Sequence, residues 1–228
     1  MIELNTIEDR FLRNKDLIPQ DRLNEATVIG LGGIGSSVVM NLSIMGVRNI
    51  NGYDNDIIKE HNLSTTIYPI GALGKKKAEA ATEMAVAYGC PNPSFVDDLF
   101  HLGDKVSPVT FAVTDSMSSR KEAYDTWKKL PNRELFIDIR MGALTIVCVT
   151  VNDHNAIDYM NHWFPDSEGH EEPCTMKHTI FTASIAAGVG IQQYFCHLRD
   201  LPYWVKLTKI NSFTDVNKEL FVPKKGKK

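Results

Sequence analysis

The stretch Gly30-Leu31-Gly32-Gly33-Ile34-Gly35-Ser36 follows Ala26-Thr27-Val28-Ile29 and precedes a run that places Val38, Val39, Leu42 and Met45 on one helical side. Strand, glycine turn and helix in that order open a βαβ unit. Glycines at 30, 32 and 35 let the backbone approach an anion closely. The unpaired N–H groups and the dipole of the helix start then favour its negative charge. A second reading stays open, in which the glycines serve only tight packing of helix on strand.

Working outwards, residues 49–53 read as the next strand. Asp54 ends it, about 20 residues beyond the last glycine, where a carboxylate meets ribose hydroxyls in dinucleotide-binding folds. NAD and ATP would be served equally by this much. Asp56 and Asn62 lie just past the ribose acid, where hydride transfer needs no further charge. Lys77 opens an alanine-rich helix over residues 75–88, so its ammonium reaches the edge where a triphosphate would sit. Asp115 follows an apolar strand over residues 109–113, and a carboxylate there is a ligand for Mg²⁺. Blander readings stand beside both. Lys75-Lys76-Lys77 also reads as a solvated helix start, and Asp115 as the N-cap of a helix over residues 116–130.

The remaining segments extend the alternation. Residues 9–23 read as a charged arm broken at Pro19, and 135–139 and 144–151 as strands around Arg140-Met141-Gly142. Residues 162–178 read as a long crossover loop, and 179–198 as a buried helix. Residues 204–222 alternate like an antiparallel pair. The prediction is an α/β fold: a Rossmann-like, mostly parallel sheet with helices on both faces and an antiparallel C-terminal edge.

Composition bounds the function classes. The chain has 228 residues, 43% of them hydrophobic, enough to bury a full core in one domain. A net charge of −3 gives no electrostatic case for nucleic acid as main partner. The lysine-rich end, Lys224 to Lys228, reads as a solvated terminus. No signal peptide or membrane span is visible; the most apolar stretch, residues 180–195, is broken by Ser184, Gly188, Gly190, Gln192 and Gln193. Cys90, Cys148, Cys174 and Cys196 form no C-x-x-C pair, so reduced thiols and a cytoplasmic location are expected.

Taken together, the motifs resemble those of the ThiF/MoeB/HesA superfamily, the adenylating domain shared with ubiquitin-activating enzymes. The resemblance runs from Arg10 to about Leu201. It rests on Arg10-Phe-Leu-Arg13, Gly30 to Ser36, Asp54-Asn-Asp56 with Asn62-Leu63, Gly74-Lys-Lys-Lys77-Ala78, and Thr114-Asp115. It implies an arm over residues 1–25, a nucleotide-binding adenylation domain over 26–222 and a basic tail over 223–228. It also implies that Asp54 holds the ribose, Lys77 and Arg13 the phosphates and Asp115 the Mg²⁺. Gly30, Gly32, Gly33, Gly35, Ser36, Asp56 and Asn62 would complete the ATP site. In relatives the arm's arginine reaches the neighbouring subunit's ATP, so a homodimer is implied. Two departures stand out. Thr65-Thr66 occupy the place of the family's Arg-Gln, with Lys75 or Lys76 as possible replacement charges, and the paired C-x-x-C zinc clips are absent.

Pro173-Cys174-Thr175 resembles the surroundings of the thioester cysteine in ubiquitin-activating enzymes. A thiol just before a helix start, with Lys177 close by, is favoured as thiolate. The alternatives are an ordinary loop cysteine, or a metal set of His170, Cys174 and His178 with His162, which Pro173 disfavours on a helix. Arg140 either anchors a carboxylate or pairs with Asp138.

The expected activity is ATP- and Mg²⁺-dependent adenylation of a carboxylate, the C-terminus of a ubiquitin-like or sulfur-carrier protein, with thioester formation on Cys174 as a second step. Rival expectations are adenylation of a small molecule, peptide or tRNA base, an NAD-dependent oxidoreductase, and a nucleotide-binding scaffold without turnover. The oxidoreductase lacks a His or Tyr-x-x-x-Lys acid, and Thr65 lends weight to the scaffold.

Overall fold

The structure, a computed structural model, describes residues 7–168, 179–210 and 214–222. A short helix α1 (Ile7–Arg10) leads through turns to β1 (Glu25–Ile29), α2 (Gly33–Met45), β2 (Asn49–Tyr53), α3 (Lys77–Ala87), β3 (Asn92–Val96) and β4 (Val109–Ala112). Then come α4 (Met117–Trp127), β5 (Leu135–Gly142), β6 (Thr145–Val151), α5 (Ile180–Leu198), β7 (Tyr203–Ile210) and β8 (Thr214–Phe221). The strands form one sheet in the order β3-β2-β1-β4-β5-β6-β7-β8. Pairing is parallel from β3 to β5 and antiparallel from β5 to β8.

The period-2 alternation of the strands divides the core in two. Leu135, Ile137 and Ile139 of β5 face the same side as Val28 and Phe111, against Val38, Val39 and Leu42 of α2 and Ala183, Ala186 and Ala187 of α5. Phe136 faces the other side, with Ala112, Val149, Tyr124 and Trp127 of α4, and Tyr159. Tyr124 and Tyr159 stack there with ring centres 4.3 Å apart. The central strands β1 and β4 are covered on both faces, which is why they read as short apolar runs rather than alternating ones. Helix α5 comes close to β5 at Gly190, where a Cβ would lie 2.3 Å from the Ile139 side chain.

Order reverses between β1 and β4: the chain builds from β1 to β2 and β3 on one side and resumes at β4 on the other. The carboxyl ends of β1 and β4 therefore flank the crevice where open α/β sheets bind ligands.

Three details differ from the sequence expectations. Strand β3 did not show in the sequence because Asn92-Pro93-Ser94 carries no alternating apolar signal; as an edge strand it tolerates the proline. Arg140, Met141 and Gly142 belong to β5, and the turn to β6 is Ala143-Leu144, with Ala143 at φ 48°. The N-cap of α4 is Ser116, whose hydroxyl accepts the Ser119 N–H, so Asp115 is not a cap. Among the described residues, no helix is long and apolar enough to cross a membrane.

Candidate nucleotide site

The glycine loop joins the carboxyl end of β1 to α2, and its geometry depends on side chains being absent. Gly30 has φ +94°, and a Cβ on it would lie 2.9 Å from the Val113 carbonyl oxygen. A Cβ on Gly35 would lie 1.9 Å from the Gly30 carbonyl oxygen, so this turn closes only around glycine. Gly32 differs: no atom lies within 4 Å of where its Cβ would stand. The protein's own packing does not demand glycine there, while a ligand approaching the backbone would. Gly33 is the first residue of α2, and its buried position leaves the helix dipole directed at the same opening. Ser36 is fully buried; its hydroxyl donates to the Gly33 carbonyl at 3.2 Å and accepts the Ile67 N–H at 3.4 Å. It fastens the first turn of α2 to the segment after Asn62.

Asp54, at the end of β2, touches the loop directly. Its Oδ2 accepts the Leu31 N–H at 2.7 Å and its Oδ1 accepts the Asp56 N–H at 2.9 Å. Lys77, at the start of α3, extends its ammonium to Oδ2 of Asp56 at 2.7 Å and to Oδ2 of Asp54 at 3.5 Å. The Lys77 N–H also donates to the Asp56 carbonyl at 2.9 Å, which anchors the helix start to this turn. Lys77 is buried and Asp56 largely exposed, so the cation lies beneath a carboxylate that faces solvent.

Asn62 is half-buried; its side-chain oxygen accepts the Lys59 N–H at 2.9 Å and its carbonyl accepts from both Thr65 and Thr66 hydroxyls. Those threonines bring no charge. The neighbouring lysines are paired at the surface, Lys75 with Glu83 at 2.5 Å and Lys76 with Asp97 at 3.2 Å.

Asp115 stands on the loop after β4, exposed and without an ion-pair or hydrogen-bond partner among the described residues. Its loop is held from beneath by Arg120, which sequence reading did not single out. This buried guanidinium donates to the carbonyls of Ala112 and Thr114 on β4 and its loop, to the Ile139 carbonyl at 2.9 Å, and to the Asp138 carboxylate. Arg140 meets the same carboxylate through Nε at 3.0 Å and Nη2 at 2.6 Å, and Tyr159 donates to it at 2.9 Å. Of the two roles open to Arg140, the structure shows the pairing with Asp138. Burial pushes the Asp138 carboxyl up, but the two arginines and the Tyr159 hydroxyl outweigh it and hold it below the ordinary carboxylate value. Arg140 also donates to the His162 carbonyl at 2.7 Å, and Asp166 accepts the Met117 N–H at 2.6 Å at the start of α4. These bonds lay the beginning of the crossover segment along the Asp115 edge.

Arg13 is not part of this group in its own chain. Arg10 binds the Ser43 and Ile44 carbonyls and those of Tyr88 and Gly89, so the arm is docked at the C-terminal ends of α2 and α3. The glycine loop is at the other end of α2, about 20 Å away for a helix of 13 residues. Arg13 is exposed. Cys174, and with it His170 and His178, lies outside the described residues. Cys90, Cys148 and Cys196 show no activation; burial raises each thiol, Cys148 to about 12.

The structure thus gathers Gly30, Gly32, Gly33, Asp54, Asp56, Asn62, Lys77 and Asp115 at one edge of the sheet. Gly35 and Ser36 support the loop from inside.

Comparison with known proteins agrees with this geometry. Residues 10–89, which hold the glycine loop, both aspartates, Asn62 and Lys77, match the model of the ThiF family. No curated protein matches the sequence. Among solved structures, PaaA superposes with a TM-score of 0.72 at 18% identity, covering 92% of this chain and 72% of PaaA. Escherichia coli MccB with ATP gives 0.60 at 19% identity, covering 83% and 63%, and MccB with AMPCPP and MccA gives 0.64 at 17%, covering 85% and 64%. The chain therefore spans less than two thirds of those MccB chains. Residues 10–89 of this chain are thus similar to the ThiF family, and most of its length shares the fold of these solved structures.

Proposed function

We propose that this chain binds ATP at the carboxyl edge of its sheet and transfers the AMP moiety to a carboxylate. The observation that carries the reading is Lys77, a buried ammonium at the foot of an open glycine loop, balanced by two aspartates. Structures of MccB hold ATP, or AMPCPP together with MccA. With ATP bound, Asp54 accepts from the ribose and the loop's N–H groups donate to phosphate oxygens. Lys77 turns from Asp56 to the polyphosphate. The acceptor carboxylate attacks the α-phosphorus; a new P–O bond forms and pyrophosphate leaves, giving an acyl adenylate. Positioning and charge neutralisation supply the acceleration.

Asp115 is suited to Mg²⁺, a free carboxylate beside the place of the phosphates. An ion there would take its other ligands from phosphate and water. When bound, that ion would neutralise phosphate charge.

The acceptor in this reading is the C-terminus of a ubiquitin-like or sulfur-carrier protein, and Cys174 then attacks the acyl carbonyl, forming a thioester and releasing AMP. The MccB complexes with MccA, a peptide, favour a second acceptor class, a short peptide. A homodimer, with Arg13 serving the partner's site, completes the proposal.

ATP–pyrophosphate exchange with candidate acceptors tests the reaction. Exchange that depends on an acceptor supports adenylation. Thermal stabilisation by NAD but not ATP defeats it, and ATP binding without exchange for any acceptor leaves a scaffold. A thioester that persists in Cys174→Ala removes that residue from the second step.

A further inference from the structure

Tyr68 lies in the core, 4% exposed, yet its hydroxyl is spent on the glycine loop: it donates to the Leu31 carbonyl at 3.0 Å. The Leu31 N–H in turn donates to the Asp54 carboxylate at 2.7 Å. Leu31 is thus gripped at both of its backbone polar groups, by a hydroxyl from one side and a carboxylate from the other. A second tie runs alongside, from the Ile67 N–H to the Ser36 hydroxyl at 3.4 Å. The segment that carries Asn62 is therefore fastened to both ends of the loop.

The consequence follows from peptide geometry. A trans peptide points its C=O and N–H in opposite directions. With the Leu31 carbonyl held inward on Tyr68, the next N–H, that of Gly32, must point away from the core. Gly32 is the loop residue whose missing Cβ faces open space.

We propose that Tyr68 is a positioning residue, which aims the Gly32 amide at the phosphates of the bound nucleotide and ties that aim to the Asn62 segment. The inference rests on the ATP reading above and deepens it by naming what sets the loop's orientation. Burial, with the nearby Asp54 charge, raises the Tyr68 hydroxyl far above its ordinary value, so it remains a donor at any working pH.

The test is calorimetric titration of the full chain and of Tyr68→Phe with ATP and, separately, with adenosine, which has the base and ribose but no phosphate. Removing the hydroxyl should weaken ATP about tenfold, as for loss of one neutral hydrogen bond, and leave adenosine unchanged. An ATP-to-adenosine ratio equal to that of the wild type overturns the inference, whether both ligands weaken equally or neither does. A wild-type chain that binds ATP no better than adenosine overturns this inference and the nucleotide reading together. A wild type that prefers ATP, with an unchanged Tyr68→Phe, removes Tyr68 alone. A second measurement needs no variant: ATP must shift the Gly32 amide resonance of the wild type, and a resonance that stays in place also sinks the inference.

Discussion

The Lys77 ammonium lies 2.7 Å from the Asp56 carboxylate and 3.5 Å from that of Asp54, so without nucleotide this cation is already held by the acids that frame the loop. It is already placed without phosphate, and two aspartates that would otherwise repel each other share it. In the proposed reaction a bound polyphosphate would exchange one set of anionic partners for another.

Lys77→Ala should lower ATP–pyrophosphate exchange by about 100-fold or more, the scale for losing a charge aimed at a transferring phosphoryl group. Fold stability should fall by about 1 kcal/mol or more, because solvent screens the exposed Asp56 but the mostly buried Asp54 loses its neighbouring cation. Exchange assays with thermal melts of the same sample check both halves. Retained exchange would detach Lys77 from the chemistry.

Asp115→Asn should also lower exchange, but with almost no effect on the fold. Its carboxylate is exposed and makes no bond within the described protein, so melting should shift by less than about 0.5 kcal/mol equivalent. Exchange should fall at least tenfold, with the Mg²⁺ concentration for half-maximal rate displaced upwards. A variant with wild-type Mg²⁺ dependence would show that Asp115 is not the metal's ligand.

Asp138 is the stability counterpart. Asp138→Ala leaves the buried Arg120 and the half-buried Arg140 without their shared carboxylate and should cost roughly 3–5 kcal/mol, read from urea unfolding. The pH dependence has a definite sign. The folded-state value is depressed below that of the unfolded chain, roughly 3.9. Its contribution is therefore fully present above that value and is lost as pH falls through the folded-state value. Acid unfolding of the wild type should show this loss below about pH 4, and a chain equally stable at pH 3 and pH 6 would contradict it.

Arg13 offers a test of subunit exchange. Arg13→Ala and Lys77→Ala should each be weak alone. Mixed and re-equilibrated, they should recover up to about a quarter of wild-type exchange, since half the dimers then carry one intact site. Gel filtration of the same mixture reports the dimer. No recovery, with dimers present, would place Arg13 outside the partner's site.

Much of the site was legible in advance because its elements are local. A strand, a glycine turn and a helix are set by neighbours in sequence, and so are the acid closing β2 and the lysine opening α3. The illegible parts are long-range or lack a periodic signal. Asn92-Pro93 gives no hint of an edge strand until β2 is there to pair with it. Arg120 looks like any helix arginine; only the packing of α4 on β5 brings it to Asp138, eighteen residues on. Tyr68 likewise reads as a core aromatic until the chain folds back upon Leu31.

By itself, then, the order of residues determined the α/β class, the glycine cradle and the acids and lysine beside it, since these follow from backbone sterics and the short-range periodicities of strand and helix. Tertiary structure alone decided that Lys77 rests between Asp54 and Asp56, that Arg120 and Asp138 underpin the Asp115 loop, and that Arg13 lies far from its own chain's loop. Those relations come from how strands are ordered and helices packed, which brings together groups whose separation along the chain carries no local signal.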